Sequence, residues 1–164
     1  MKTALELRLM TPDEFDRWRE PSVTTYAEDL LRYGQVATSA EGLSQAETEY
    51  QELLPQGLYT PRHQLYRLMV GETAVGDLWL NRDDARWFIC GFDIAPEYRG
   101  KGYGRRALEA LEQLIRSAGE PRIIVLHVFR DNPIARHLYE TMGYAYLSLE
   151  NVPDTSRYMK KTVQ

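Results

Sequence analysis

A chain of 164 residues with 43% hydrophobic and 27% charged residues has the balance of a soluble globular protein, and one domain over 1–164 is expected. Its formal net charge of −4 argues against a general nucleic-acid or anionic-membrane surface. Its single cysteine, Cys90, excludes an internal disulfide and argues against a cysteine-built metal cluster, so no metal site is expected. Met1 to Met10 carries Lys2, Glu6 and Arg8 without an apolar run, so neither a secretory leader nor a membrane span is expected, and a cytoplasmic setting is the default.

Ala4-Leu5-Glu6-Leu7-Arg8-Leu9 alternates apolar with polar residues and predicts a half-buried strand. Thr11, Pro12 and Glu14 form a capping-box signal for a helix that buries Phe15 and Trp18 and is expected to break at Pro21. A second helix is expected from Ser22 to Ala37 on Val23, Tyr26, Ala27, Leu30 and Leu31. A third is expected from Ser44 or Gln45 to Leu54 on Ala46, Tyr50 and Leu53. Gln64 to Val70, Ala74 to Leu80 and Trp87 to Ile94 read as three strands, and their short polar connections favour antiparallel hairpins. From Tyr103 to Ser117, Ala107, Leu108, Leu111, Leu114 and Ile115 make one helical stripe, closed by Gly119. Ile123 to Phe129 is a near-continuous apolar run of the kind a central strand needs, and the helix before it implies a parallel crossover from the strand at Trp87 to Ile94. Asn132 as N-cap and Pro133 start another helix, with Ala135, Leu138, Tyr139 and Met142 inward and Gly143 as its stop. Tyr144 to Leu149 and Ser156 to Thr162 offer two last strands.

The stretch from Arg99 to Gly104 carries the chemistry. Gly100, Gly102 and Gly104 alternate with Lys101 and Tyr103 just before a helix, so several backbone N–H groups can converge at its positive end without a Cβ in the way. That is a phosphate cradle. Gly102 is followed by Tyr103 rather than lysine, which excludes the P-loop pattern. A dinucleotide fingerprint can be written from Gly102 to Ala107, but the next strand ends in Arg130 where that site needs an acid.

Arg99-x-x-Gly102-x-Gly104, after Phe92-Asp93-Ile94-Ala95-Pro96, resembles the first motif of the GNAT superfamily of acetyl-CoA-dependent N-acetyltransferases. Asn132-x-x-Ala135-x-x-x-Tyr139-x-x-x-Gly143-Tyr144 is similar to that family's later motif, with Tyr144 where phenylalanine is commoner. The resemblance spans the chain from Ala74 onward. It implies an α/β (α+β) fold, a mixed sheet of about seven strands flanked by helices, with a splayed parallel pair that holds acetyl-CoA.

By that resemblance, Phe92 and Ile94 would bond the pantetheine. The backbone of Arg99, Gly100, Lys101, Gly102, Tyr103 and Gly104 would hold the pyrophosphate, Asn132 would touch the pantetheine arm, and Tyr139 would be the catalytic acid at the sulfur. The acceptor implied is a primary amine on a small molecule, a peptide N-terminus or a lysine, attacking directly in a ternary complex. The place where family members carry a base falls near Phe88, which cannot accept a proton; Asp77 and Asp93 lie nearby, His127 reads as a core histidine, and the base stays unassigned. A non-catalytic acyl-CoA sensor is the alternative, and a homodimer through an edge strand stays open.

Overall fold

The computed structural model describes residues 3–164; Met1 and Lys2, the start of the stretch read for a leader, lie outside the described residues. The chain forms two compact units, one of residues 3–9 with 64–164 and one of residues 10–63. No described helix is long and apolar enough to cross a membrane.

The larger unit is built on one seven-stranded sheet. Its strands are β1 (Leu5–Leu9), β2 (His63–Val70), β3 (Thr73–Arg82), β4 (Trp87–Ile94), β5 (Ile123–Phe129), β6 (Ala145–Leu147) and β7 (Ser156–Thr162), in the order β1-β2-β3-β4-β5-β7-β6. β4 and β5 run parallel, whereas β1–β2, β3–β4, β5–β7 and β6–β7 are antiparallel. The mixture follows from chain connectivity: β3 reaches β4 by a short turn, but β4 reaches β5 through α3 (Tyr103–Ala118). That helix places Ala107, Leu108, Leu111 and Ile115 in one core with Leu78, Leu80, Trp87, Ile89 and Leu126 of the sheet. Gly119 closes it at φ +86°, as expected. α4 (Pro133–Thr141) follows β5 and adds Tyr139 and Met142 to the same core. The mixed sheet with its parallel pair is the expected fold class. The strand expected from Tyr144 to Leu149 is shorter, because β6 pairs with β7 over Ala145–Leu147 alone.

The second unit corrects the helix boundaries. α1 (Pro12–Arg32) opens with the expected capping box, Glu14 N–H to Thr11 Oγ1 and Thr11 N–H to Glu14 Oε1, but it runs straight through Pro21. α2 (Ser39–Leu53) starts five residues or more before the expected place, capped by the Thr38 hydroxyl. An interior proline costs about 3 kcal/mol, yet α1 is held against α2 on both sides of it. Trp18 and Tyr26 both lie over Tyr50, and Ser22 Oγ meets the Tyr50 hydroxyl at 2.6 Å. Gly42 lets the two helices touch, since a Cβ there would sit 2.8 Å from the Ala27 carbonyl oxygen. Packing on two flanks outweighs the local break.

Gly76 in β3 faces Ile94 at the far end of β4, and a Cβ at that position would stand 2.2 Å from the Asp93 carbonyl oxygen. Backbone cannot yield there as a side chain can. Gly76→Ala is therefore expected to destabilise the protein by about 1–3 kcal/mol, seen as a lower urea midpoint at unchanged slope; an unmoved midpoint would show that the strands separate freely at this point.

Candidate active site

The site begins where two strands part. β4 and β5 are in parallel register only at Trp87↔Ile124, Phe88↔Val125 and Ile89↔Leu126, although β4 continues to Ile94 and β5 to Phe129. On its other side β4 slips register against β3 between Trp79 and Leu80, which leaves Cys90 as an extra residue between Ile89 and Gly91. Such a bulge bends and twists its strand. It falls where the parallel pairing ends, so β4 turns away while β5 stays in register with β7 through Phe129↔Ser156. Phe92 and Ile94 lie past this bulge, on the part of β4 that has left β5.

Past Ile94 the chain makes a single helical turn at Pro96–Tyr98 and enters the glycine-rich stretch. Gly100 and Gly102 sit at φ +73° and +85°, with no heavy atom within 4 Å of the place where a Cβ would be. Both the conformation and the open space favour glycine. Gly102 is the N-cap of α3 and supplies no side chain to cap it. The first main-chain bond of the helix runs from the Arg106 N–H to the Gly102 carbonyl; the N–H groups of Lys101 to Arg105 make no hydrogen bond among the described residues. Gly104 serves a different purpose: a Cβ there would lie 3.0 Å from Leu138 Cδ2, so it lets the first turn of α3 approach α4.

The basic side chains divide. Arg99 turns back on β4, its Nε donating to the Ile94 carbonyl at 2.7 Å and its Nη2 to Asp93 Oδ1 at 3.0 Å. Arg106 donates to the Thr3 carbonyl and lies over the Tyr103 ring. Lys101 and Arg105 enter no ion pair among the described residues.

α4 brings the second motif. Asn132 Oδ1 accepts from the Ala135 N–H at 3.3 Å, which makes it the expected N-cap. Its Nδ2 donates to no described residue. Seven residues on, two helical turns, Tyr139 lies on the same face of α4. Its ring is buried in the core, edge-on to Tyr144 at 5.6 Å, and no described group bonds its hydroxyl. Burial pushes the Tyr139 phenol above its ordinary value, so it holds its proton at any physiological pH.

The acids near β4 are already paired. Asp93 holds Arg99, and Asp77 Oδ1 lies 3.2 Å from Arg67 Nε. His127, read as a core histidine, bonds the Ser156 hydroxyl through Nε2 at 2.8 Å and packs edge-on to Phe129 and Tyr158. Burial pushes the Cys90 thiol up to about 12, so it is not a thiolate at neutral pH. Among the described residues no group of three acids, histidines or cysteines could hold a metal. The bulge at Cys90 and the Arg99 contacts were not foreseen from the sequence; Gly91 inside a strand was the available signal for the bulge.

The model of the Acetyltransferase (GNAT) family matches residues 12–144. The chain belongs to the GNAT acetyltransferase family. It is 38% identical over 141 residues to the uncharacterized N-acetyltransferase YycN of Bacillus subtilis, covering 82% of this chain and 88% of that protein. Similarity to YdgE of the same organism is 32% over 151 residues, with 89% and 95% covered. The crystal structure of YycN superposes with a TM-score of 0.84, covering 92% of this chain and 98% of that one. The PaiA N-acetyltransferase of Thermoplasma acidophilum, solved with coenzyme A, shares the fold with a TM-score of 0.69 at 16% identity, over 97% and 99% of the two chains. The chain is thus an acetyltransferase of this family.

A buried neutral phenol has a consequence for stability. The folded state keeps the Tyr139 proton that the unfolded chain releases near pH 10. The stabilisation is complete below that value and is lost as pH rises above it. Replacing Tyr139 by Phe should therefore flatten the fall in stability above about pH 10, measured by urea denaturation at stepped pH; an unchanged slope would mean that the phenol titrates in the folded protein as it does in water.

Proposed function

We propose that this acetyltransferase moves the acetyl group of acetyl-CoA to a primary amine by direct attack within a ternary complex. The observation that carries the proposal is the parting of β4 from β5, bordered by unbonded N–H groups at Lys101 to Arg105 and followed in the chain by a helix that carries a neutral, unbonded phenol at Tyr139.

The residues fit a pyrophosphate. Gly100 and Gly102 leave the approach open, the helix N-terminus points its partial positive charge outward, and Lys101 and Arg105 add uncommitted cations. Asn132 Nδ2 is a spare amide donor for the pantetheine arm, since its Oδ1 is used by the cap. Past the bulge, β4 has no β5 partner, so its main chain can bond an extended ligand as a strand would. Acetyl-CoA, when bound, supplies the acetyl group as a thioester.

The rest is proton handling by the chain. A lysine-like amine is only about 0.04% neutral at pH 7, about 4.6 kcal/mol of the barrier. The Tyr139 hydroxyl, kept protonated by burial, donates a proton to the departing sulfur and regains one from solvent, which also takes up the proton that the amine releases. Cys90 is the chain's single cysteine, and its thiol stays protonated. An acetyl-cysteine route would need a thiolate, which favours direct attack by the amine. The acidic overall charge favours a cationic acceptor.

Calorimetric titration with acetyl-CoA and with NAD tests the cofactor, and free-CoA release across a panel of polyamines, aminoglycosides, amino acids and peptides tests the acceptor. Gly102→Val places a β-branched residue at φ +85° and should abolish acetyl-CoA binding in a folded protein. Undiminished affinity would remove the cradle assignment. Tyr139→Phe should lower turnover about 10²–10⁴-fold with little change in acetyl-CoA affinity; full turnover would return Tyr139 to a packing role.

A further inference from the structure

Beneath Tyr139 lies a charged cluster that binding and catalysis leave unexplained. Glu112 falls in the apolar stripe of α3 and is the one buried carboxylate among the described residues, at 6% exposure. Its Oε1 accepts from Lys161 Nζ of β7 at 2.9 Å, and Arg116 Nη2 stands 3.8 Å away. Lys161 Nζ also donates to the Met142 carbonyl at 2.6 Å, at the C-terminal end of α4, and lies 5.9 Å from the centre of the Tyr144 ring. Solvent approaches this pair through a surface cavity of about 270 Å³ lined by Glu112, Arg116 and Lys161.

Two oxygens of this cluster are sealed off and unbonded: Glu112 Oε2 and the Tyr144 hydroxyl. Burial, and then the Glu112 charge, hold the Tyr144 phenol in its neutral form, so it is a donor beside an acidic acceptor. Stability alone does not account for the arrangement. A buried ion pair is often no better than apolar residues of the same volume, and each buried unsatisfied oxygen is destabilising. A phenylalanine at 144 and a leucine at 112 would avoid both costs.

The contacts of Lys161 and Tyr144 lead to Tyr139. Tyr144 meets its ring edge-on, the Tyr144 and Met142 N–H groups both bond the Tyr139 carbonyl, at 3.0 and 3.1 Å, and Lys161 holds the Met142 carbonyl between them. Gly143, at φ +90°, makes the reversal that brings Tyr144 back under the helix, and a Cβ there would lie 3.6 Å from Lys161 Cε.

We propose that Glu112, paired with Lys161, is a positioning residue for Tyr139 and acts through Tyr144. The proposal rests on Tyr139 as the proton donor. In it, the ion pair fixes the turn at the end of α4 and the Tyr144 ring, and that ring sets the angle of the Tyr139 ring. Apolar contacts are not directional, whereas the Lys161 bonds to Glu112 and to the Met142 carbonyl are.

The test places 3-fluorotyrosine at position 139 and compares its fluorine NMR signal in the wild type, in Glu112→Gln and in Tyr144→Phe. The second variant removes one hydroxyl and keeps the ring, which covers the case in which Glu112→Gln does not fold. The signal is expected to shift or broaden in both, while calorimetric affinity for acetyl-CoA stays within twofold. An unmoved signal in a folded variant overturns the proposal. Turnover adds a second criterion: a misplacement on the order of 1 Å costs about 10²-fold, so Glu112→Gln should lower kcat toward that extent without raising the KM for acetyl-CoA. Glu112→Gln added to Tyr139→Phe should cost nothing further; losses that multiply would overturn the coupling. The two ideas fail separately. A shifted signal with full turnover in Tyr139→Phe keeps the positioning and removes the acid role, whereas an unmoved signal with lost turnover does the reverse.

Discussion

Three rungs of parallel pairing are the constraint on which the rest of the site depends. From Trp87 to Ile89, β4 is an ordinary inner strand; one extra residue, Cys90, then breaks its register and its partnership with β5. A continuous sheet would bury those main-chain groups in hydrogen bonds and leave nothing to offer a ligand. An earlier separation would cost the core its parallel pair. The opening is possible because β5 does not depend on β4 beyond Leu126, since β7 holds it along its full length.

Around that opening the two glycine-marked turns do different work. The one before α3 presents main-chain donors and keeps side chains out of the way. The one after α4 is a reversal that folds Tyr144 back on Tyr139 and brings Lys161 to the helix end. In the proposed function the first would serve recognition, and the inferred role of the second is alignment. Gly104 lies between them, where a Cβ would press on the Leu138 side chain of α4 at 3.0 Å.

Much of this was legible in the sequence where the signals are local. Thr11, Pro12 and Glu14 marked a cap that is present, Gly119 marked a stop that is present, and the helix between the strands at Trp87 and Ile123 implied the parallel crossover that forms. Pro21 misled because its effect on a lone helix is local whereas the packing of α1 on Tyr50 and Gly42 is not. Arg99 could be placed near the cradle, but its bonds to Ile94 and Asp93 depend on how the turn at Pro96–Tyr98 doubles back. Glu112 was the hardest. An acid in an apolar stripe gives no hint of its partner until the last strand of the chain brings Lys161 to it.

The Arg99 contacts bear on how a ligand would be met. One guanidinium ties the end of β4, at Ile94 and Asp93, to the start of the glycine-rich turn. Ordering a loop of this length upon binding would subtract from affinity and slow capture, and a turn held by its own contacts lowers both costs. In the proposed function, a turn held in this way would discriminate by fit to its outline rather than by closure around the guest.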